Sequence, residues 1–338
     1  MAASGLTGDP KRDVYVNAWS AYWALKWGDL LRINRFPLFT GIGDGGMWTF
    51  YDWLRQSLRD NKPVDEFVHE LLTAEGSVYR NGPANFFKIS KDPLDLAETT
   101  AQVFLGIRLQ CARCHHHPFE KYSQSDYYGL AAFFTRVGIK NQSKFDVLGG
   151  ESIVILRSSG SISHPRLGKT MAPTPLGGEP IDTEGVRDLR RPLADWLTAP
   201  QNTLFSRNIV NRIWSYYMGS GLVEPVDDMR ATNPASNPEL LDALAGHLVE
   251  IKYDLRRLMR TIMTSRVYQL SSTALAANVE DRRFYPHYNI KRLPAEVLLD
   301  AIDSACGTHE PFTGVPLGTR AIELPDPNFE SYFLDTLG

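Results

Sequence analysis

The stretch at residues 92–134 reads DPLDLAETTAQVFLGIRLQCARCHHHPFEKYSQSDYYGLAAFF and contains the features that decide how this chain folds. Asp92 is a preferred helix N-cap, and Pro93 suits the first helical position, where a missing N–H costs nothing. Apolar side chains then recur at helical spacing, so a helix is predicted over residues 92–109. Cys111 is therefore expected just past the end of a helix.

Helical periodicity continues on both sides of this stretch. The first predicted helix carries Trp19, Trp23 and Trp27 on one face, which favours packing in a core. The predicted helices lie at residues 18–33, 48–58, 64–74, 92–109, 126–134, 192–197, 205–218, 237–251, 255–266 and 294–305. Strand-like runs at 152–156 and 161–163 lie in a segment rich in proline and glycine. The sequence predicts a mainly α fold of multi-helix, bundle-like units with a small β and irregular insertion between them.

A chain of 338 residues is long enough for about two domains. We predict a helical domain at residues 1–136, a β and loop crossover at 137–186 and a second helical domain at 187–338. The chain has 36 basic and 39 acidic residues, which argues against a nucleic-acid partner, because general polyanion binders are markedly basic. No apolar run approaches the roughly 18 residues of a membrane span.

Residues 110–117 carry the cluster that is most specific for chemistry. Cys111-x-x-Cys114-His115 is the attachment motif of c-type haem: two thiols add to the porphyrin vinyl groups, and the adjacent histidine offers a nitrogen to the iron. With 3 Cys and 8 His in the chain, this spacing is expected by chance roughly 0.0006 times. The cluster therefore predicts a site, and haem c is its first interpretation.

The residues leave other chemistries open. Cys111 and Cys114 with His115 and His117 also make a tetrahedral zinc set. A redox dithiol is a third interpretation, which the preceding helix weakens, and two structural cysteines beside polar histidines are a fourth. A haem iron would also need a sixth ligand or an open face. Candidates are His116, His117, His164, His247, Met171, Met218 and Met229.

A second polar region lies between residues 208 and 237. Asn211, Arg212, Asp227 and Asp228 are candidate catalytic residues, since a carboxylate pair beside Arg and Asn suits metal-assisted or acid–base chemistry. The same region contains Glu-Pro and Asn-Pro steps that are typical of turns and helix starts. Turns and helix caps are therefore the competing interpretation, and whether the chain is an enzyme stays open.

Long parts of the sequence resemble one known family. FLGIRLQCARCHHHPFEKYSQSDYYGLAAFF at residues 104–134, with DPLDLAETTAQ before it, is similar to the signature of a planctomycete cytochrome domain, the PSCyt type. The run that begins RPLADWLTAPQNTLFSRNIVNRIWSYYMGSG at Arg191 resembles its PSD-type partner domain, whose function is unknown. YDLRRLMRTIMTSRVYQLSS and RLPAEVLLDAI continue the match. The resemblance covers nearly all of residues 18–336.

The resemblance implies a c-type-cytochrome-like, haem-binding redox or electron-transfer component of an exported protein. The motif positions that carry over are Cys111, Cys114, His115, His117, Pro118 and Phe119. Members of the family are longer, exported and surface-associated, so we expect a fragment that lacks further domains and belongs in the periplasm or at the cell surface. Their genes often lie near those of polysaccharide-degrading enzymes, so the implied partners are an unknown redox protein and a polysaccharide.

Two other functions fit the residues. One is a zinc or other metal-binding protein, structural or hydrolytic, and the other is a non-catalytic module that binds surface polysaccharide. The first residues of the chain lack the pattern of a signal peptide. Because c-type haem is attached after export, the chain made as written in a cytoplasm is expected to lack covalent haem.

Overall fold

Helices dominate the structure, a computed structural model that describes residues 10–38, 44–90, 92–117, 121–141, 151–281 and 283–338. The α-helices are α1 Pro10–Leu30, α2 Arg35–Leu38, α3 Gly45–Arg59, α4 Val64–Thr73, α5 Phe86–Ile89, α6 Pro93–Thr100, α7 Gln124–Ala132, α8 Arg190–Thr198, α9 Thr203–Met218, α10 Pro238–Glu250, α11 Leu255–Met263, α12 Ala295–Cys306 and α13 Tyr332–Leu337. Shorter 3-10 helices lie at Gly82–Asn85, Leu109–Arg113 and Ala321–Glu323, and a π-helical turn lies at Ala101–Leu105. None of the helices in these ranges is both long and apolar enough to cross a membrane.

One small antiparallel sheet accompanies the helices, which confirms the mainly α prediction with a small β element. Its strands are β1 Gly76–Ser77, β2 Val137–Asn141 and β3 Ser152–Leu156, in the order β1-β3-β2. The apolar run at 152–156 was predicted correctly. The expected strand at 161–163 is reduced to a single bridge between Ser163 and Thr170. Because β1 has two residues and β2 little apolar alternation, neither is visible in the sequence pattern.

The tryptophan face of α1 is confirmed as core. Trp23 is 2% exposed and meets the Tyr216 ring of α9 edge to face, with 5.3 Å between centroids. The Trp27 ring lies 5.6 Å from that of Phe67 on α4. A continuous apolar core runs from α1 through α9 to α11, so the two predicted helical units share their interior. The domain boundaries themselves stay a prediction.

Helices also differ from the sequence prediction. The helix expected at 92–109 is shorter: α6 ends at Thr100, a π-helical turn follows, and Gly106 stops it with a left-handed φ of 68°. After residue 305, where the sequence predicts no helix, the chain forms α13, which Ser331 caps by accepting a hydrogen bond from the backbone N–H of Leu334. The expected cap at Asp92 is present, because its side chain accepts from Leu94 and Asp95 at 2.8 and 2.9 Å.

Candidate functional site

The segment that carries the motif, residues 109–117, which we call the Cys–His turn, presents both thiols to solvent. It begins with a 3-10 helix, in which side chains three positions apart lie on one face. Leu109 and Ala112 take the buried face, so Cys111 and Cys114 share the exposed one. Both are free thiols. The spacing thus leaves both thiols accessible on the exposed side of the segment.

The histidines of the turn differ in which ring nitrogen is engaged. His115 is exposed, and its Nδ1 lies 2.6 Å from the carbonyl oxygen of His116, so Nδ1 carries the proton and donates it. The unprotonated Nε2 of His115 is then the nitrogen that a metal can take. Nε2 of His117 instead donates to the Arg108 carbonyl at 3.1 Å. Pro118 and Phe119 of the motif lie outside the described residues.

Side chains of α7 hold the turn in place. The buried Gln124 amide donates to the Arg113 carbonyl at 2.8 Å, and its backbone N–H donates to Nδ1 of His116 at 3.3 Å. Ser123 and Asp126 form a capping box at the start of α7, in which each side chain accepts a hydrogen bond from the backbone N–H of the other residue. The turn is therefore anchored from below while its cysteines stay open to solvent.

A second anchor links α7 to α6. The Tyr127 hydroxyl donates to Glu98 at 2.6 Å. Burial, together with this hydrogen bond and the charge of Glu98, raises the pKa of Tyr127. The tyrosine therefore remains a neutral donor that ties the two helices flanking the Cys–His turn.

The donor set can be compared with the needs of each cofactor. Haem attachment needs two accessible thiols and one imidazole nitrogen, and Cys111, Cys114 and His115 fit that requirement. Zinc needs about four converging ligands. Across the described ranges, no group of three or more His, Cys, Asp or Glu side chains is placed to hold a metal ion, so the proposed zinc set with His117 is not assembled.

The Cys–His turn is a surface feature. Five cavities stand out in the described part of the chain, and none of them is lined by residues 109–117. The two cysteine side chains are exposed to solvent.

The candidates for a sixth iron ligand lie in different environments. Met218 is fully buried in the core, and His247 is hydrogen-bonded to Thr261 at 3.1 Å. Nδ1 of His164, which is 4% exposed, accepts from backbone N–H groups at 3.2 and 3.3 Å. Met229 is tied to the residues before the motif, because its backbone N–H donates to the Gly106 carbonyl at 2.8 Å.

Asp227 links the second polar region to the Cys–His turn. Its carboxylate accepts a hydrogen bond from Gln102 at 2.6 Å and pairs with the guanidinium of Arg108. Burial opposes ionisation, but the hydrogen bonds from Arg108 and Gln102 outweigh it and hold the pKa of Asp227 below its ordinary value. The Arg108 carbonyl also accepts the hydrogen bond from His117. Asp227 therefore positions the residue that immediately precedes the Cys–His turn and contacts its last histidine.

The other candidate catalytic residues make structural contacts: Asn211 and Arg212 bond to backbone groups, and Asp228 forms an ion pair. The Asn211 amide donates to the Val223 carbonyl at 2.8 Å and accepts from the Val223 N–H at 2.9 Å. Buried Arg212 donates to the Gln102 carbonyl at 2.9 Å, and burial lowers the pKa of its guanidinium. Asp228 lies 3.3 Å from Arg230. These contacts are those of a packed interface, and the interpretation as turns and caps fits them.

Comparison with known families places two domains along the chain. The model PSCyt2, described as a protein of unknown function (DUF1549), matches residues 14–138, and the model PSD1, also a protein of unknown function (DUF1553), matches residues 189–325. The chain therefore carries a PSCyt2 domain followed by a PSD1 domain. The order of the two matches confirms the resemblance in the sequence. Searches of the curated proteins and of the solved structures find no match.

The Asp227 contact therefore joins the two domains. Gln102 and Arg108 belong to PSCyt2, and Asp227 and Arg212 belong to PSD1. Sequence reasoning missed the two PSCyt2 partners, since their role depends on Asp227, which lies more than a hundred residues further along the chain. Gly106 was missed as well, although a glycine after an apolar helix is a common helix stop and could have been recognised.

Proposed function

We propose that this PSCyt2–PSD1 protein is a c-type-cytochrome-like redox component that carries one haem on its Cys–His turn. Cys111 and Cys114 are the thioether anchors, and His115 is the axial ligand through Nε2. When bound, haem c supplies one-electron transfer at its iron. The resemblance to exported planctomycete proteins further suggests export, further domains of a longer chain, and a polysaccharide or redox protein as partner.

One observation carries the proposal: the 3-10 helix puts two free, exposed thiols on one face beside a histidine whose Nδ1 is already engaged. A histidine that ligates a metal usually donates its other ring N–H to a carbonyl or carboxylate, which fixes the tautomer and the ring. For His115, the acceptor of that N–H is the His116 carbonyl oxygen.

The remaining contacts give other residues positioning roles. Gln124 fixes the turn from α7, and Asp227 fixes Arg108 from the PSD1 domain. Exposure of the turn suits exchange of electrons with a separate protein, because the attached group stays within reach of its surface. Zinc at the same cysteines is the alternative, and it would require His117 to leave the Arg108 carbonyl.

The test is expression of this chain with an export signal and a c-haem maturation system. We expect a c-type absorption spectrum after reduction and an intact mass that exceeds the polypeptide by one haem. The double variant Cys111→Ala/Cys114→Ala should lose both. Cys306→Ala is the matched control, since Cys306 is also an exposed free thiol but lies on α12, and it should keep both.

His115→Ala separates attachment from ligation. We expect it to retain the added mass but to change the spectrum, because the thioethers remain while the axial nitrogen is lost. The metal content of the same samples is also measured. Folded, colourless protein that carries one zinc, with the zinc lost in the double variant, would overturn the proposal. Folded protein with neither haem nor metal would also overturn it.

A further inference from the structure

A cavity lies away from the Cys–His turn, where the end of α1 and the side of α3 meet α12 and the segment after the 3-10 helix Ala321–Glu323. Its volume is about 140 Å³. Since a cavity of roughly 150 Å³ accommodates benzene, this one has room for about six heavy atoms.

Three side-chain carboxylates without an ion-pair partner line this cavity: Asp335 of α13 and the two that face each other from other helices, Asp29 and Glu296. Asp29 lies in the last turn of α1 and Glu296 in the first turn of α12. None of the ion pairs between described residues involves any of these three side chains. The negative end of the α1 dipole adds to the same potential. The arrangement therefore favours a cation.

This arrangement makes ionisation of Asp29 less favourable. Partial burial and the charge of Glu296 raise the pKa of Asp29, against the opposing effect of Lys26. The Lys26 ammonium lies over the Tyr22 ring, 5.9 Å from its centroid. A cation bound in the cavity would relieve the repulsion between Asp29 and Glu296.

The cavity wall also contains a buried phenol that lacks a hydrogen-bond partner. Tyr51 is 2% exposed and lines the cavity, and no donor or acceptor among the described residues reaches its Oη. Buried polar atoms are nearly always hydrogen-bonded, so an unpaired one in a cavity wall points to a ligand. Burial raises the pKa of Tyr51, which therefore stays neutral and can accept an N–H.

The walls of the cavity are held by polar contacts outside it. Arg55 of α3 pairs with Glu323 at 2.6 Å, and Asp300 of α12 accepts from the Ala321 N–H at 2.7 Å. Asp326, which also lines the cavity, lies 3.4 Å from Arg35. The site is therefore formed before a ligand arrives, which lowers the entropy that binding costs.

We propose that this cavity binds the primary ammonium group of a small alkylamine. Asp29 and Glu296 supply the counter-charges, and Tyr51 accepts one N–H. Leu324 and Phe329 give the alkyl chain apolar surface. A bare metal ion fits less well, because the described residues contain no converging group of carboxylates that would coordinate one.

The experiment titrates the full chain with n-butylammonium chloride, followed by ligand-observed NMR and calorimetry. We expect saturable binding with a Kd on the order of 1 mM, as befits five heavy atoms. 1-Butanol, which has the same shape without the charge, should not saturate. Nα-acetyl-lysine amide is titrated in parallel, because a lysine side chain carries the same group and its binding would include peptides among the ligands.

Variants locate the site. Asp29→Asn and Glu296→Gln should each weaken butylammonium binding about 10-fold, and Tyr51→Phe about 3-fold to 10-fold, because each loses one contact with the N–H groups. Glu330→Gln, an exposed acid that lines a neighbouring open cavity, is the matched control and should bind like the wild type. Circular dichroism checks that every variant is folded.

Three outcomes would overturn the proposal. The first is a folded wild-type chain that shows no saturable binding up to about 50 mM amine. The second is 1-butanol binding as tightly as butylammonium, which would make the cavity merely apolar. The third is wild-type affinity in all three cavity variants, which would place the amine elsewhere.

Discussion

At Gly106 the PSCyt2 domain packs directly against PSD1. The φ of Gly106 is 68°, a left-handed conformation that glycine adopts at little cost. A Cβ at this position would lie 2.6 Å from Cγ of Met229 and 2.8 Å from Oδ1 of Asn208. The left-handed φ and the lack of room for a Cβ both favour glycine at this position, five residues before Cys111. This glycine therefore sets where the chain leaves the helix to form the Cys–His turn.

Gly106→Ala is expected to lower the free energy of unfolding by about 2–4 kcal/mol, from the left-handed φ and the close contacts together. Urea unfolding followed by circular dichroism measures it. Two matched glycines separate the causes. Gly168→Ala has a φ of 63° with no atom within 4 Å and should cost only about 1–2 kcal/mol. Gly246→Ala lies inside α10 with open space and should be neutral or stabilising by about 1 kcal/mol. Equal losses in all three would contradict this account of Gly106.

At the scale of elements, the π-helical turn Ala101–Leu105 and the start of the Cys–His turn are held by PSD1. Asp227 takes hydrogen bonds from Gln102 and Arg108, and Arg212 donates to the Gln102 carbonyl at 2.9 Å. The Asp227 side chain is 18% exposed, whereas that of Arg108 is 46% exposed, so solvent weakens the ion pair.

Asp227→Asn should destabilise the protein by about 1–2 kcal/mol at pH 7, through loss of charge-assisted hydrogen bonds. The pKa of folded Asp227 lies below its unfolded value of about 3.9, so its stabilisation is complete above that pH and is lost as the pH falls through the folded pKa. The difference between wild type and variant should stay constant from about pH 5 to 7 and shrink below about pH 4. Urea titrations at several pH values measure both effects.

Asp242→Asn is the control for the Asp227 variant. Asp242 lies 3.0 Å from Arg207, but its side chain is 62% exposed, so the loss should stay within about 0.5 kcal/mol. If the difference in unfolding free energy between the wild type and Asp227→Asn grew as the pH fell, the expected direction of the pH dependence would be wrong.

At the scale of the whole molecule, Arg190 joins the two halves of the chain. It is fully buried at the start of α8 and pairs with Asp188 through two bonds of 2.9 Å. It also donates to the Ala74 and Thr73 carbonyls at 2.7 and 3.2 Å, where α4 ends and the helix has unpaired acceptors. Its guanidinium lies 4.9 Å from the centroid of the Phe87 ring.

Arg190→Met should lower the free energy of unfolding by about 3–5 kcal/mol, because the buried Asp188 carboxylate then keeps only the exposed Arg191, 4.0 Å away, as a counter-charge. Arg191→Met is the matched control. Its side chain is 67% exposed and 4.0 Å from Asp188, so the loss should stay below about 0.5 kcal/mol. Differential scanning calorimetry should give one transition for the wild type, since one core runs through both halves. A loss below about 1 kcal/mol in Arg190→Met would show that Arg190 does not join them.

Much of the fold follows from local sequence. Asp92 and Asn237 start helices because each side chain accepts backbone N–H groups two or three residues ahead. The spacing of tryptophans on α1 places them in the core, and the spacing of Cys111, Cys114 and His115 identifies the candidate site. These features depend on residues that are close together in the chain, so the sequence alone determined them.

The tertiary structure decided the features that depend on distant residues. The left-handed glycine that ends the helix after Asp92, Gly106, lies against Met229 and Asn208, which are more than a hundred residues away in the chain, so this close packing is not visible in the sequence. Asp227, a candidate catalytic residue in the sequence, bonds to Gln102 and Arg108 of the other domain in the structure. The cavity lined by Asp29, Tyr51 and Glu296 has no counterpart in the sequence pattern. Its walls come from helices far apart in the chain, and only the packing of the whole molecule brings them together.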